Sequence, residues 1–567
     1  MNRKMTKGQK KTKPHGQVAH RESVPESFAL FFEFLLKCFS VLCAVLVLGG
    51  LPFYYQDGYT HIGSDKSYFF RTATAYVGKV FLPVLGLYLV AGVAAVLLRR
   101  KQKPDGAEMR RAGVVPADFF ALCYGGAAVL SWYCSRYRST ALWGTKGWYM
   151  GMVPQLAFVA LYLLLSFFGW KAVTKGILYA TLPVSAAVFL LGCINRFDIW
   201  PIPMAHAGLP LYISTIGNIN WFCSYAVTLA FVGAGLFWMD RGANRWRTIA
   251  LAVYVLLAFA ALLLQGSESG IFALGVVFVL LFLWSCFAQD QKKMQRFFQL
   301  AALLAGAGSG IFALRRLFPG RMNYTSSIGA LCYSPWAVCA LAAAGIGYLY
   351  VTRFYAGDSR FCARNILHRL ARVLAVALPV AAVVFVGMIA LNTARPGSLG
   401  VLSGQRVFTF DRKWGSSRGA TWTTGIRCFA EQDALHKLTG VGPDCMADFL
   451  YHDASDALQK AAREAFVNKR LTNAHCEVLT ILVNIGLLGA ISYLGMWIGL
   501  LKQLLSARNG TSPEEAMALA CGLGAFAYCF NNLWSFQQSI GAATVFAVLG
   551  LGMFCKRQAS KEGRKNG

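Results

Sequence analysis

The feature that most limits how this chain can fold is a series of apolar runs, each of about 20 residues, that recurs along its whole length. A helix of that length crosses the hydrocarbon core of a bilayer, which is about 30 Å thick. Hydrophobic residues make up 56% of the 567 positions and charged residues only 14%. This composition is typical of a polytopic membrane protein. We therefore predict an all-α integral membrane fold.

The sequence contains fourteen runs that we interpret as transmembrane helices. Their approximate limits are 27–49, 75–98, 117–134, 150–170, 176–195, 219–239, 247–264, 269–288, 297–314, 328–351, 372–392, 476–501, 515–532 and 537–555. Only "NLWSFQ" separates the last two runs, and counts from twelve to fifteen are compatible with the pattern.

The distribution of Lys and Arg predicts the orientation, because basic residues in short loops are retained on the cytoplasmic side. The basic segments alternate with the predicted spans and comprise the tail 1–26, "RRKQKPDGAEMRR", "RGANRWR", "QKKMQR", the loop 353–371 and the tail 556–567. We therefore predict a multi-pass protein of the cytoplasmic membrane with both termini in the cytoplasm. The net charge of +30 is explained by this pattern and by anionic lipid headgroups, so we predict no nucleic-acid partner.

The first apolar run carries Glu33 and Lys37 and has no small-residue cleavage site, which favours an uncleaved anchor. Most of the sixteen cysteines lie inside apolar runs, where a thiol acts as a small apolar group. No C-x-x-C pair or Cys/His ligand spacing occurs, so we predict neither a metal site nor a cofactor. Cys428 and Cys445 share one polar segment, and a disulfide between them is an open alternative.

The chain is organised asymmetrically, with one long polar segment among short connections. By the alternation this segment lies outside the cytoplasm. The predicted parts are the tail 1–26, the helices of 27–209 without an assignable motif, a central transmembrane part 210–392, the extracytoplasmic loop 393–474, three helices in 475–555 and the tail 556–567.

The stretch "LTNAHCEVLTILVNIGLLG" begins as a polar loop and becomes an apolar helix, with His475 and Glu477 at the transition. This transition places His475 at the outer boundary between membrane and water. A histidine there can exchange protons near neutral pH, or it can simply cap the helix in the headgroup layer. The residues alone leave both interpretations open.

This stretch resembles the signature of the O-antigen ligase and polymerase family, in which a histidine precedes a Gly-x-x-Gly on the same helix. Gly486 and Gly489 occupy the glycine positions, and Cys476 stands where the family usually has Asn, Ser or Gln. Three further stretches are similar to family elements and occur in the same order: "IGNINW", "WGSSRGATW" and "LTGVGPD". The resemblance covers roughly residues 210 to 500.

The resemblance implies a GT-C-like, metal-independent glycosyltransferase that acts on the outer face of the membrane. Its partners would be the lipid bilayer, a polyprenyl-diphosphate-linked glycan as donor, and a hydroxyl of a glycan, lipid or protein as acceptor. His475 would remove the acceptor proton. Glu477 would orient a sugar or the imidazole.

The leaving diphosphate calls for fixed positive charge, and the resemblance assigns this role to Arg418. Arg427 either contributes to the same site or only supports the loop through a salt bridge. Many ligases have an arginine where this chain has Glu268, so a substitute is expected. The cluster Arg315, Arg316 and Arg321 is one candidate; lipid contacts and an error in the span count are the alternatives.

Two smaller sets of residues have a structural and a functional interpretation. Trp143 and Trp148 could stack on sugars, but anchoring at the membrane interface is favoured for both. Asn218 and Asn220 could bind a glycan, but bracing of neighbouring helices is the more common use of such amides.

The competing class is transport, by a lipid-linked oligosaccharide flippase or a small-anion carrier. A flippase should have related halves and a charged cavity along its spans, whereas no repeat is visible and the titratable groups concentrate at one rim. A peptidoglycan polymerase would share the general chemistry, but its outer-loop acidic residue has no clear counterpart. The sequence favours the glycosyltransferase.

Overall fold

The computed structural model describes residues 24–56, 58, 62–102, 113–356, 362–467 and 469–566. Most of the predicted basic tail 1–26 and parts of the basic loops 99–111 and 353–371 lie outside these residues. The described chain is almost entirely helical, and its one sheet pairs Tyr212–Ile213 with Gly217–Asn218 in antiparallel fashion.

We number the sixteen longest described helices in chain order. They are α1 Val24–Val45, α2 Ile62–Gln102, α3 Pro116–Cys134, α4 Met152–Phe168, α5 Lys171–Asn195, α6 Ile219–Met239, α7 Arg245–Leu264, α8 Glu268–Ala288, α9 Gln291–Leu317, α10 Pro335–Phe354, α11 Ala363–Ala394, α12 Trp414–Glu431, α13 Asp456–Ala465, α14 Glu477–Leu505, α15 Pro513–Asn532 and α16 Ser539–Asn566.

Shorter helical segments connect these helices. They are Leu46–Gly50, Leu51–Phe53, Arg138–Trp143, Ser327–Cys332, Gly400–Gly404, Arg406–Phe408, Ala434–Thr439, Met446–Asp448, Phe449–Asp453 and Ser506–Asn509.

Each of the fourteen predicted spans coincides with one of these helices, which confirms an all-α polytopic architecture. Eleven helices of the described chain are long and apolar enough to cross a membrane, fewer than the fourteen we predict. The three others are α3, α4 and α15. Of these, α4 has only 17 residues, whereas α15 begins with two glutamates and ends with two asparagines.

The centre of the bundle is formed by α6, α15 and α16, and its helices approach closely because small residues line the contacts. A Cβ atom added at Gly524 of α15 would lie 2.4 Å from the carbonyl oxygen of Thr228 in α6. The most apolar windows of α6 and α16 are each 94% buried, whereas those of α2 and α11 are 6% and 0% buried. The exposed apolar surfaces of α2 and α11 are suited to contact lipid.

The end of the bundle that carries His475, here called the site end, gathers the connections that we predict to be extracytoplasmic. Arg196, after α5, donates from its guanidinium to the carbonyl of Gln265, after α7, at 2.8 Å. Asp444 of the long segment accepts a hydrogen bond from the backbone N–H of Thr145 at 2.7 Å. These contacts tie the long segment and the shorter connections into one layer.

The opposite end gathers the connections that we predict to be cytoplasmic. Arg557 of α16 pairs with Asp118 at the start of α3, at 2.6 Å. Arg296 of α9 pairs with Asp240 at the end of α6, at 2.9 Å. These pairs join the end of α16 to the start of α3, and the start of α9 to the end of α6.

The helix α14 is interrupted at Gly486, whose φ of 72° lies in the left-handed region. A Cβ atom there would also lie 2.3 Å from the carbonyl oxygen of Leu438. The break leaves the carbonyls of Val483 and Asn484 free to accept hydrogen bonds from the backbone N–H groups of Val441 and Gly442, at 3.2 and 3.0 Å.

The stretch "LTGVGPD" and the part of α14 around Gly486 therefore contact each other. Gly440 of "LTGVGPD" has a φ of 80°, and a Cβ atom there would lie 2.2 Å from the carbonyl oxygen of Asn484. Gly489 lies one turn after the break, where a Cβ atom would press on the side chain of Ile485. The geometry gives Gly486 and Gly489 a structural role.

We predict that Gly486→Ala lowers the stability by about 2 kcal/mol or more, because alanine is strained at positive φ and its Cβ would meet the docked loop. Gly387→Ala in α11 is the matched control, since a Cβ there meets no atom within 4 Å. Thermal melting of the detergent-purified variants measures both effects. Equal melting temperatures for the two variants would contradict the proposed docking.

Candidate functional site

Arg418 lies at the start of the regular part of α12, directly after a sharp kink. Gly415, Ser416 and Ser417 have φ values of 58°, 58° and 73°, and a left-handed conformation is costly for serine. The kink allows Arg418 to donate from Nε to the carbonyl of Trp534 at 2.8 Å and from Nη1 to the carbonyl of Gly415 at 2.9 Å.

The guanidinium of Arg418 is partly buried, and no carboxylate of the described chain lies within salt-bridge distance of it. Burial lowers the pKa of Arg418, and the charge of Glu268 partly opposes that effect. Two neutral carbonyl contacts do not compensate a buried cation as a bound anion would. Arg418 is therefore suited to receive a negatively charged group.

Glu268 is a neighbour of Arg418. It is the first residue of α8, and one of its carboxylate oxygens lies 3.5 Å from Oγ of Ser416 in the kink. Sequence reasoning regarded this glutamate only as a missing phosphate contact. The structure places the carboxylate of Glu268 and the guanidinium of Arg418 at the same rim.

His475 lies just before α14, in a left-handed conformation with a φ of 50°. Its backbone N–H donates to the side-chain oxygen of Asn473 at 3.1 Å. The imidazole packs edge-on against Phe536, with ring centroids 5.0 Å apart. Burial and, to a smaller extent, the positive charge of Arg418 together lower the pKa of His475 to about 4. The imidazole is therefore neutral at pH 7.

Glu477 starts α14 but faces the interior of the bundle, where only 3% of it is exposed. Its two carboxylate oxygens accept hydrogen bonds from the hydroxyl of Tyr493 and the amide of Asn532. No hydrogen bond joins it to His475, although both residues are described. These contacts favour a structural role for Glu477, which joins α14 to α15. They do not favour its predicted role of orienting the imidazole.

Three tryptophans that sequence reasoning did not identify form a cluster beside Arg418. The rings of Trp422 and Trp534 are stacked with centroids 5.0 Å apart, and Trp414 lies 5.7 and 5.6 Å from them. The indole N–H of Trp422 points to the carbonyl of His475 at 3.5 Å. Two of the three flank the arginine in "WGSSRGATW", which was the available signal.

Arg427 is not part of this cluster. Nine residues of an α-helix make about two and a half turns, so Arg427 faces away from Arg418 on α12. It is exposed and lies 3.9 Å from Glu431 in the same helix. The alternative that Arg427 supports the loop through a salt bridge is therefore favoured over diphosphate binding.

The cluster of Arg315, Arg316 and Arg321 lies at the site end, after and within the last turn of α9. Arg315 covers the ring of Tyr333 and Arg316 covers that of Phe312, with centroid distances of 5.3 and 5.4 Å. No recorded hydrogen bond or ion pair of the described chain joins these arginines to Arg418 or His475. Their predicted contact with a diphosphate stays a prediction.

A buried arginine that sequence reasoning missed positions the turn before Glu268. Arg196 donates to the carbonyls of Leu264 at 2.9 Å and Pro210 at 3.0 Å, in addition to Gln265. Burial lowers the pKa of Arg196 to about 10. With three carbonyl contacts this guanidinium organises the backbone at the site end.

The contacts bear on two further expectations, those for Trp148 and Asn218. Trp148 packs against Trp221 and Phe536 with centroids 6.0 and 4.9 Å away, so it belongs to the wall near His475 rather than to a membrane anchor. Asn218 caps α6 by accepting from the N–H of Asn220, which is a structural role.

The proposed disulfide is not formed in the structure. Cys428 and Cys445 are free thiols that lie in the same hydrophobic cluster of the long segment. Burial raises the pKa of both thiols, as expected for cysteines that act as apolar core residues.

No known protein family matches this chain, and no curated protein is significantly similar to it.

We predict that Arg418→Gln raises the pKa of His475 from about 4 towards its ordinary value, because removing a nearby positive charge favours the protonated imidazole. The neutral imidazole reacts with diethylpyrocarbonate, so peptide-level mass spectrometry at a series of pH values gives the midpoint. Arg427→Gln should leave it unchanged. A midpoint that is the same in wild type and Arg418→Gln would show that Arg418 does not act on His475.

Proposed function

We propose that the protein is a metal-independent membrane glycosyltransferase of the O-antigen ligase or polymerase type, acting on a polyprenyl-diphosphate-linked glycan. The observation that carries the proposal is the neutral His475 near Arg418, a partly buried guanidinium without a carboxylate within salt-bridge distance. The proposal includes a bilayer crossing by α3, α4 and α15, which makes fourteen spans, and an extracytoplasmic site end.

The reaction needs a base, a nucleophile and a stabilised leaving group. The acceptor hydroxyl attacks the anomeric carbon and transfers its proton to the imidazole of His475. The bond between the anomeric carbon and the diphosphate oxygen breaks, and its electron pair stays on the diphosphate. Arg418 stabilises the charge that grows there, since a guanidinium can bind two phosphate oxygens together.

The low pKa of His475 fits this scheme when the donor is considered. A base with a pKa of about 4 is weak at neutral pH. A diphosphate bound to Arg418 brings negative charge that offsets the arginine, so the pKa of His475 rises towards the working range. Donor binding would thus strengthen the base.

The tryptophan cluster and Glu268 are suited to the sugar part of the donor. Indole rings offer flat apolar faces with a polar N–H, and carboxylates accept hydrogen bonds from hydroxyl groups. Glu268 would avoid the diphosphate and bind a sugar hydroxyl instead. Glu268 would then bind the sugar at the position where many ligases have an arginine.

We predict that His475→Ala lowers turnover by about 10² to 10⁴-fold, the range for a positioned general base, with little change in donor binding. Arg418→Ala should weaken both donor binding and turnover, and Arg418→Lys should restore only part, because an ammonium lacks the planar two-point contact. Arg427→Ala, on the opposite face of α12, is the matched control. Transfer from a lipid-linked glycan in detergent is measured, with donor binding and thermal melting followed separately.

The same assay contains the outcomes that contradict the proposal. Turnover near the wild-type level in well-folded His475→Ala would exclude this residue as the base. Activity that disappears in chelator and returns with magnesium or manganese would contradict the metal-independent reaction. Transmembrane movement of the lipid-linked glycan without any transfer would favour the flippase.

We predict that the site end faces away from the cytoplasm. A cysteine at Ala457, which is exposed in α13, should react with a membrane-impermeant maleimide in intact cells, whereas a cysteine at Ser560 in α16 should react only after lysis. Labelling with the opposite preference would reverse the orientation and remove access to an outer donor.

A further inference from the structure

The end of the bundle opposite His475 contains a recess that the proposed reaction does not use. Three connections meet there: the one between α6 and α7, the one between α8 and α9, and the one between α14 and α15. Its walls include residues 238–241, Asp290, Lys292, Lys293 and Gly510.

Basic residues outnumber acidic ones around this recess. The recess is lined by three basic side chains, Arg241, Lys292 and Lys293, and by two carboxylates, Asp240 and Asp290. The basic residues Arg247, Arg296 and Arg508 contact residues of this lining. Asp240 is shared by Arg247 and Arg296. Asp290 lies 3.5 Å from Arg241 and caps α9 through the N–H groups of Lys292 and Lys293. Both acids are thus already engaged.

Lys293 is the most informative residue of the recess. Only 8% of it is exposed, and its ammonium group donates to the carbonyl of Arg508 and lies 5.0 Å from the ring centre of Trp238. An ammonium group has three donors, and no carboxylate of the described chain lies within salt-bridge distance of this one. A buried ammonium group without a nearby carboxylate is stabilised when an anion binds to it.

The position of the recess indicates where that anion comes from. It lies where the apolar helices α6, α9 and α14 begin or end, and the ends of membrane-spanning helices meet the lipid headgroups. Trp246 in the first turn of α7 is 78% exposed, as is typical of tryptophans at a membrane interface. The guanidinium of Arg508 covers the ring of Trp284 at 5.6 Å. This contact holds the positive charge of Arg508 at the same end of the bundle.

We propose that the recess binds the phosphate group of an anionic membrane lipid, with Lys292, Lys293 and Arg241 as its ligands. The bound phosphate bridges three connections that are distant in sequence and stabilises this end of the bundle. The inference is independent of the reaction at the site end, so either can fail without the other.

The test is thermal melting of the full-length, delipidated protein in detergent with short-chain phosphatidylglycerol, phosphatidylcholine or inorganic phosphate. Phosphatidylglycerol should raise the melting temperature in a saturable manner, whereas the other two compounds should not. The variant Arg241→Gln/Lys292→Gln removes two exposed charges and should weaken the apparent affinity by roughly tenfold or more, because each basic residue near an anionic surface contributes about 1 kcal/mol.

The control variant is Arg369→Gln/Arg372→Gln, which removes two exposed charges from α11 at the same end and should bind like the wild type. Lys293→Met tests the buried ligand and should abolish the saturable shift; native mass spectrometry of bound phosphatidylglycerol gives the same readout if melting itself changes. An equal effect of phosphatidylcholine, or equal losses in both double variants, would overturn the site. A shift with inorganic phosphate as large as that with phosphatidylglycerol would assign it to free phosphate and overturn the lipid.

Discussion

The interruption of α14 at Gly486 is the constraint on which the site end depends. Because the helix is broken, the carbonyls of Val483 and Asn484 accept hydrogen bonds from the loop at 441–442 instead of from their own helix. Non-helical backbone at such a depth is tolerated only where protein satisfies it. The docked loop supplies Asp444, which holds the turn at 144–150 by accepting from the backbone of Thr145 and Met150.

This chain of contacts reaches the imidazole. The turn held by Asp444 carries Trp148, which packs on Phe536, and Phe536 packs on His475. His475 lies just before the helical residues 477–485, which precede the break. Gly486 therefore influences the position of His475, the candidate base, through three segments of the chain.

The electrostatics of the rim are consistent with a polyanionic substrate. Burial and the nearby guanidinium of Arg418 lower the pKa of His475, and a bound anion would oppose the contribution of Arg418. Glu268 offsets part of this positive charge and lies next to the kink before Arg418. The rim thus combines one strong anion-binding group with acceptors and aromatic faces suited to hydroxyl-rich groups.

The fold was largely predictable because a membrane span is a local property of about 20 residues, and each predicted run is a helix. The site was predictable only where a motif was local, as for His475 and Arg418. The neighbourhood of Glu268 and Arg418 joins residues 150 positions apart, and Trp534 comes from yet another connection. Tertiary packing also decides which face of α12 is exposed with Arg427 and which carbonyls Arg196 contacts. The periodicity of the sequence does not encode this packing.

If the proposed function is right, a lipid-linked glycan binds at the rim formed by Arg418, His475 and the tryptophan cluster. Photocrosslinking with a polyprenyl-diphosphate glycan that carries a diazirine on its first sugar tests it most directly, with the labelled peptides identified by mass spectrometry. The account predicts labels within 410–424 and 532–538, lost on competition with unlabelled donor. Competable labels confined to the end of the bundle opposite this rim would show that the glycan binds elsewhere.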